Sequence, residues 1–228
     1  MNQVQKEIKT ISLPLPLRMG RVNCYLIETD AGYVLIDSGG ANSRKELVKE
    51  LDNAGCHPGH LQLIVLTHGD FDHIGNAAYL RSAYGARLAM HRDDAGMAER
   101  GDMFLNRKRP NVLIRTLIPF FMGLGSSDRF APDMLLEDGE DLTQDGLDAR
   151  VICIPGHSKG SLGILTPNLE LFCGDLLVNT DGPQLNSLID DARSAQASLE
   201  VLEKLKISMV YPGHGRPFAM ERLWKDKS

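Results

Sequence analysis

The feature that most constrains this fold is a repeated junction, in which short apolar runs stop at residues able to bind a metal ion. Leu61 to Leu66 reads LQLIVL and passes directly into Thr67-His68-Gly69-Asp70-Phe71-Asp72-His73. Ala149 to Ile154 ends at Pro155-Gly156-His157, Glu170 to Cys173 at Gly174-Asp175, and Met209 to Tyr211 at Pro212-Gly213-His214. A further run, Tyr33 to Ile36, ends at Asp37. Open α/β folds build sites in this way, because rigid strands hold the residues that loops present.

Local patterning fills in the rest of a single α/β domain spanning residues 1–228. Strands are predicted at Glu7 to Ile11, Val22 to Glu28 and Ala86 to Met90. Helices are predicted at Ser43 to Ala54, where Leu47, Val48 and Leu51 form a stripe, at Ile74 to Ala83, and at Ala192 to Leu205. Residues 92 to about 141 break the pattern. They mix Met97, Met103, Phe104, Phe120, Phe121 and Met122 with charges and glycines, and read as an inserted helical segment, either a lid or a homodimer contact.

Composition narrows the partners. A net charge of −5 and a pI near 5.8 argue against nucleic acid, which calls for a basic patch. The one dense basic run, Arg107-Lys108-Arg109, is read as a solvated face. No apolar stretch approaches the ~20 residues that cross a bilayer, and the polar start MNQVQKE lacks a signal-peptide core. The expectation is a cytoplasmic protein without membrane contact that acts on a small molecule. Cys24, Cys56, Cys153 and Cys173 lack CxxC spacing and are expected to be reduced thiols.

The block from His68 to His73 places four potential ligands within six residues. Each alone has an ordinary explanation, since a loop histidine is usually hydrogen-bonded and a loop aspartate usually caps a turn. Together with His157, Asp175 and His214 they form the mixed imidazole and carboxylate set that divalent metals prefer.

On these residues the chain resembles the metallo-β-lactamase superfamily. The leading HxHxDH motif corresponds to THGDFDH, and the later motifs to PGHSKGS, LFCGD and YPGHGRP, with VLIDSGG upstream. The resemblance runs from about Val22 to Pro217 and implies a four-layer αβ/βα sandwich with a helical insertion. It implies a hydrolase with two adjacent divalent ions, zinc first, with manganese or iron as alternatives. His68, Asp70 and His157 would hold one ion, Asp72, His73 and His214 the other, and Asp175 would bridge them. Asp37 would orient a ligand from behind. Asp72 would also orient the attacking water or move its proton.

One residue departs from the family pattern. Asp70 stands where histidine is usual, which makes the site one charge less positive and favours harder ions. Family members with an acidic residue there include diiron redox proteins, so an oxygen-handling diiron protein and a catalytically silent metal-binding module stand beside the hydrolase. The substrate is open among ester, thioester, lactone, amide and phosphoester. Tyr211 and Lys159, beside ligands in the sequence, are the candidates for a general acid.

Overall fold

The computed structural model describes residues 7–107, 117 and 121–225. Two sheets face each other. The first contains β1 (Ile8–Pro14), β2 (Arg21–Thr29), β3 (Gly32–Ile36), β4 (Leu61–Val65), β5 (Arg87–His91) and β6 (Met134–Leu136), paired in that order. Its first three strands are antiparallel and the last four, β3 to β6, run parallel. The second sheet contains β7 (Arg150–Cys153), β8 (Leu162–Leu165), β9 (Glu170–Gly174), β12 (Met209–Pro212) and β13 (Phe218–Ala219), in the order β13-β12-β9-β8-β7. A two-stranded ribbon, β10 (Leu177–Val178) with β11 (Gln184–Leu185), lies between them in the chain.

The alternation of side chains along each strand sorts the core into three layers. Tyr25 and Ile27 of β2, Val34 and Ile36 of β3, and Leu63 and Val65 of β4 point between the sheets. There they meet Val151, Ile164 and Phe172 of the second sheet. Tyr25 and Phe172 are 5.2 Å apart between ring centroids, and Phe172 stacks on Tyr211 at 4.9 Å. The opposite faces are covered by helices. Leu47 and Leu51 of α1 (Arg44–Asn53) and Leu80 and Tyr84 of α3 (Ala77–Tyr84) pack on Cys24, Leu26 and Leu35 of the first sheet. Ala195, Leu199 and Leu202 of the later helix Ala192–Lys204 pack on Ile152, Leu171 and Val210 of the second. The result is a four-layer αβ/βα sandwich.

The helix expected over Ile74 to Ala83 is two pieces, α2 (Phe71–Ile74) and α3, separated at Gly75-Asn76. Tertiary bonding forces the break: the Asn76 amide donates to the carbonyls of Ser38 and Gly40 at 2.8 and 2.9 Å. A Cβ on Gly75 would lie 2.3 Å from the Ala41 nitrogen, so that turn requires glycine.

Within residues 92–141, helix α4 (Arg92–Arg100) buries Met97, and Met122 is buried in the first core layer with Met103 packed against it. Strand β6 is hydrogen-bonded to β5 as the last strand of the first sheet. Lys108, Arg109 and Phe120 lie outside the described residues. The chain closes with α5 (Ala192–Lys204) and α6 (Glu221–Lys225). Among the described residues no helix is long and apolar enough to cross a membrane. All four cysteines are free, and all but the half-buried Cys153 are buried.

Candidate metal centre

Five strands deliver the site from one edge of the sandwich. Asp37 follows β3, His68 follows β4, His157 follows β7, Asp175 follows β9 and His214 follows β12. Parallel pairing of β3 with β4 and of β9 with β12 aligns these ends. Asp70, Asp72 and His73 are carried by the turn into α2, where Asp70 is the N-cap residue.

All four histidines are anchored from behind through Nδ1. His73 Nδ1 donates to Asp37 Oδ2 at 2.8 Å, His157 Nδ1 to the Leu188 carbonyl at 2.6 Å, and His214 Nδ1 to the Arg21 carbonyl at 2.7 Å. His68 Nδ1 lies 3.0 Å from Thr67 Oγ1. That hydroxyl spends its own proton on Asp37 Oδ2 at 2.8 Å, so its oxygen accepts from His68. Carbonyls and carboxylates only accept, so each ring carries a proton on Nδ1 and turns Nε2, the atom a bound cation would take, inward.

The inward-facing atoms converge. His73 Nε2 lies 3.3 Å from Asp175 Oδ1, and His214 Nε2 lies 3.2 Å from Asp175 Oδ2 and 3.4 Å from Asp72 Oδ2. His157 Nε2 lies 3.1 Å from Asp70 Oδ2 and 4.0 Å from Asp175 Oδ2, and His68 Nε2 is 3.7 Å from Asp70 Oδ2. Among the described residues three overlapping three-residue sets result: His68-His157-Asp175, Asp72-His73-His214 and, around the carboxylate that anchors His73 Nδ1, Asp37-His68-His73. Buried His68 Nε2, His73 Nε2 and Asp175 Oδ1 have no hydrogen-bond partner. Buried polar atoms are nearly always satisfied, so these orphans mark a ligand-shaped need. Imidazole nitrogen and carboxylate oxygen around that volume fit divalent cations.

Electrostatics point the same way. Burial disfavours charge on His73 and His214, yet nearby carboxylates outweigh it. Asp175, Asp37 and Asp72 hold His73 well above its usual range, and Asp175 with Asp72 lifts His214 to about 10. His157 is raised against its burial by its bond to Asp70, whereas burial and the neighbouring His73 lower His68. Burial would raise the Asp175 carboxyl, but His214 and His73 hold it well below the usual carboxylate range. Negative charge concentrated among buried nitrogens calls for a cation.

Asp37 does what an orienting residue must. Its Oδ1 accepts the Thr67 amide at 2.8 Å, and its Oδ2 takes both the Thr67 hydroxyl and His73. It sits at φ 58°, a left-handed conformation that turns its carboxylate back under β4.

Two residues whose roles local patterning did not show complete the site. Asp94, fully buried in α4, accepts the Gly69 amide at 2.9 Å, the Gly160 amide at 2.9 Å and the Ser158 hydroxyl at 2.6 Å. It ties the loop bearing Asp70 to the loop bearing His157, and burial raises its pKa. The signal was available, since Asp94 lies just past the end of β5 as the other site residues lie past theirs. Arg107 corrects the expectation of a solvated basic run. Its side chain is 7% exposed, and its Nη1 contacts Asp70 Oδ1 at 2.5 Å while its Nε lies 2.6 Å from Asp190 Oδ2. The charges of Asp70 and Asp190 draw it inward. Asp70 therefore divides its oxygens, Oδ1 to Arg107 and Oδ2 to the histidines, and Arg107 returns positive charge that Asp70 removes. Tyr211 and Lys159 stand apart from the cluster: the Tyr211 hydroxyl faces Glu170 at 3.4 Å and Lys159 pairs at the surface with Asp93.

The sequence profile of the metallo-β-lactamase superfamily matches residues 17–214. The chain belongs to that superfamily. It is 30% identical to hydroxyacylglutathione hydrolase GloC of Haemophilus influenzae over 72% of this chain and 70% of that protein. It is 27% identical to the acyl-coenzyme A thioesterase MBLAC2 of Bos taurus, over 90% of this chain and 77% of that protein. TTHA1623, solved in a di-iron-bound form, superposes with a TM-score of 0.69 at 29% identity, covering 91% of this chain and 94% of that one. The superfamily assignment and these relatives make the chain a hydrolase of a family that binds divalent metals.

Proposed function

We propose that this hydrolase cleaves thioesters at a centre holding two divalent cations. The observation that carries the metal reading is the uniform Nδ1 anchoring of His68, His73, His157 and His214, which aims four Nε2 atoms at one volume. His68, His157 and Asp70 Oδ2 would hold one cation, Asp72, His73 and His214 the other, with Asp175 between the sets, its Oδ2 3.2 Å from His214 Nε2 and 4.0 Å from His157 Nε2. When bound, the cations supply Lewis-acid polarisation of the acyl carbonyl and a lowered pKa for the attacking water.

The chain's own residues do the rest. Asp72, with its side chain 17% exposed, presents Oδ2 beside His214 Nε2, where it accepts the proton of the attacking water. Asp37, Thr67 and the two backbone carbonyls keep the imidazoles from rotating. Neither candidate general acid stands at the cluster, and a thiolate leaves without one because thiols ionise near pH 8–9. The two relatives named for thioester hydrolysis support the same choice.

The test is to purify the protein without chelators, measure its metals by plasma mass spectrometry, and assay thiol release from acyl-glutathione and acyl-coenzyme A. About two zinc, manganese or iron ions per chain with thiol release supports the proposal. Mostly iron with a redox-active spectrum and no thiol release would replace it with the diiron redox reading. Normal metal content without turnover on any acyl substrate would leave a metal-binding module.

A further inference from the structure

Beside the metal centre lies a second cavity that the hydrolytic machinery does not use. It has a volume of about 690 Å³, within the range of roughly 300–1,000 Å³ typical of small-molecule sites. It adjoins the centre on the far side of His214: the carbonyl of Arg21, a lining residue, anchors His214 Nδ1 at 2.7 Å, and Gly215 and Arg216, which follow in the chain, line the cavity.

The lining has one sign of charge. Arg21, Arg216 and Arg222 converge there from β2, from the loop after β12 and from α6, and no carboxylate lines the cleft. Among the described residues none of the three guanidiniums has an acidic partner, although the chain carries 30 acidic residues against 25 basic ones. Arg21 is pre-oriented: its Nε donates to Ser12 Oγ at 3.1 Å, and an Nη group contacts the Ser12 carbonyl. The neutral donors nearby are mostly spent on the framework. The Asn23 amide binds the carbonyls of Pro212 and Gly215, and the Asn179 amide binds that of Arg216. Three like charges gathered in a concave surface repel one another unless an anion is expected.

We infer that the Arg21-Arg216-Arg222 cleft binds the phosphate-bearing handle of a nucleotide thioester, of the coenzyme A type, whose acyl end lies at the metal centre. This rests on the thioester reading and narrows it. Guanidinium forks match phosphate oxygens in geometry and charge. Such a handle carries about four negative charges near neutral pH, whereas the glutathione portion of a glutathione thioester has a net charge of only about −1. Three arginines without an acidic partner among the described residues suit the former.

The experiment uses calorimetric titration of the full chain with adenosine 3′,5′-bisphosphate, adenosine and glutathione at two salt concentrations. The bisphosphate should bind and weaken with salt, while adenosine should not bind measurably. Arg216→Ala and Arg222→Ala should each weaken bisphosphate binding roughly three- to five-fold, as loss of an exposed charge contact does, and the pair together should lose more. Bisphosphate binding no tighter than adenosine, wild-type affinity in both variants, or arginine-dependent binding of glutathione instead would overturn the inference. Because all three arginines are exposed, thermal melts of the variants should match the wild type, which separates lost binding from lost fold. Binding with no thiol release from acyl-coenzyme A would refute the thioester reading and leave the anion site standing. Thiol release with an unchanged KM in the arginine variants would refute the anion site alone.

Discussion

Replacing Arg107 with methionine keeps most of its aliphatic stem and removes its charge. Asp70, whose side chain is 10% exposed, then loses the guanidinium at 2.5 Å that compensates its Oδ1, while Oδ2 stays with His157. Removing one partner of a buried pair costs about 3–5 kcal/mol because the survivor is left charged and unpaired. The lower end applies here, since the Asp190 arm of the contact is 37% exposed and water screens it. About 3 kcal/mol in a domain of this size corresponds to a fall in Tm of roughly 6–12 °C. The assay is thermal unfolding by circular dichroism in the presence of a chelator, so that metal binding does not enter. A double-mutant cycle with Asp70→Asn isolates the pair, and a coupling energy of about 2 kcal/mol is expected, because the double variant leaves no buried charge unmatched at that point. Asp190→Asn alone should cost no more than about 1 kcal/mol. Additivity of Arg107→Met and Asp70→Asn within about 0.5 kcal/mol would refute the reasoning and return Arg107 to the surface.

Asp37→Ala removes the acceptor for His73 Nδ1 and for the Thr67 amide and hydroxyl. Metal affinity measured by competition with a chromophoric chelator should fall about 10- to 100-fold, and an unchanged affinity would mean that His73 is held by packing alone. Gly213→Ala would place a Cβ 2.1 Å from Asp175 Oδ1 and 2.7 Å from His73 Cε1, so metal content of the purified variant should drop below that of wild type, whereas full occupancy would show that the loop yields. Adding zinc or manganese at about 100 times its Kd to the chelated wild type should stabilise it by about 2.7 kcal/mol, seen as a rise in Tm; no rise would contradict a metal site in the folded chain.

Much of the fold was legible because its information is local. The short continuous apolar run of Tyr33 to Ile36, and the stripe of Leu47 and Leu51 four residues apart, follow from backbone geometry within a few residues. Strand β8, reading Leu-Gly-Ile-Leu, was missed: it is short, is interrupted by glycine, and follows a glycine-rich loop, so nothing local distinguishes it from that loop. It becomes a strand because β7 and β9 pair on either side of it. The break between α2 and α3 was equally hidden, since Asn76 stops the helix only by bonding carbonyls more than thirty residues away.

For the site, the residue types and their order at strand ends were visible, and the structure places His68, Asp70, Asp72, His73, His157, Asp175 and His214 in one cluster. What holds them was not visible. Two of the four histidine anchors are backbone carbonyls, those of Arg21 and Leu188, and any residue at those positions offers the same oxygen. Arg107 reads in the chain as part of a basic surface run. Only the tertiary structure decides that it is buried, because the charges that draw it inward, Asp70 and Asp190, lie 37 and 83 residues away in sequence. The chemistry of the ligands is written in side chains and their spacing, whereas their orientation and charge balance come from backbone atoms and distant charges that only folding brings within reach.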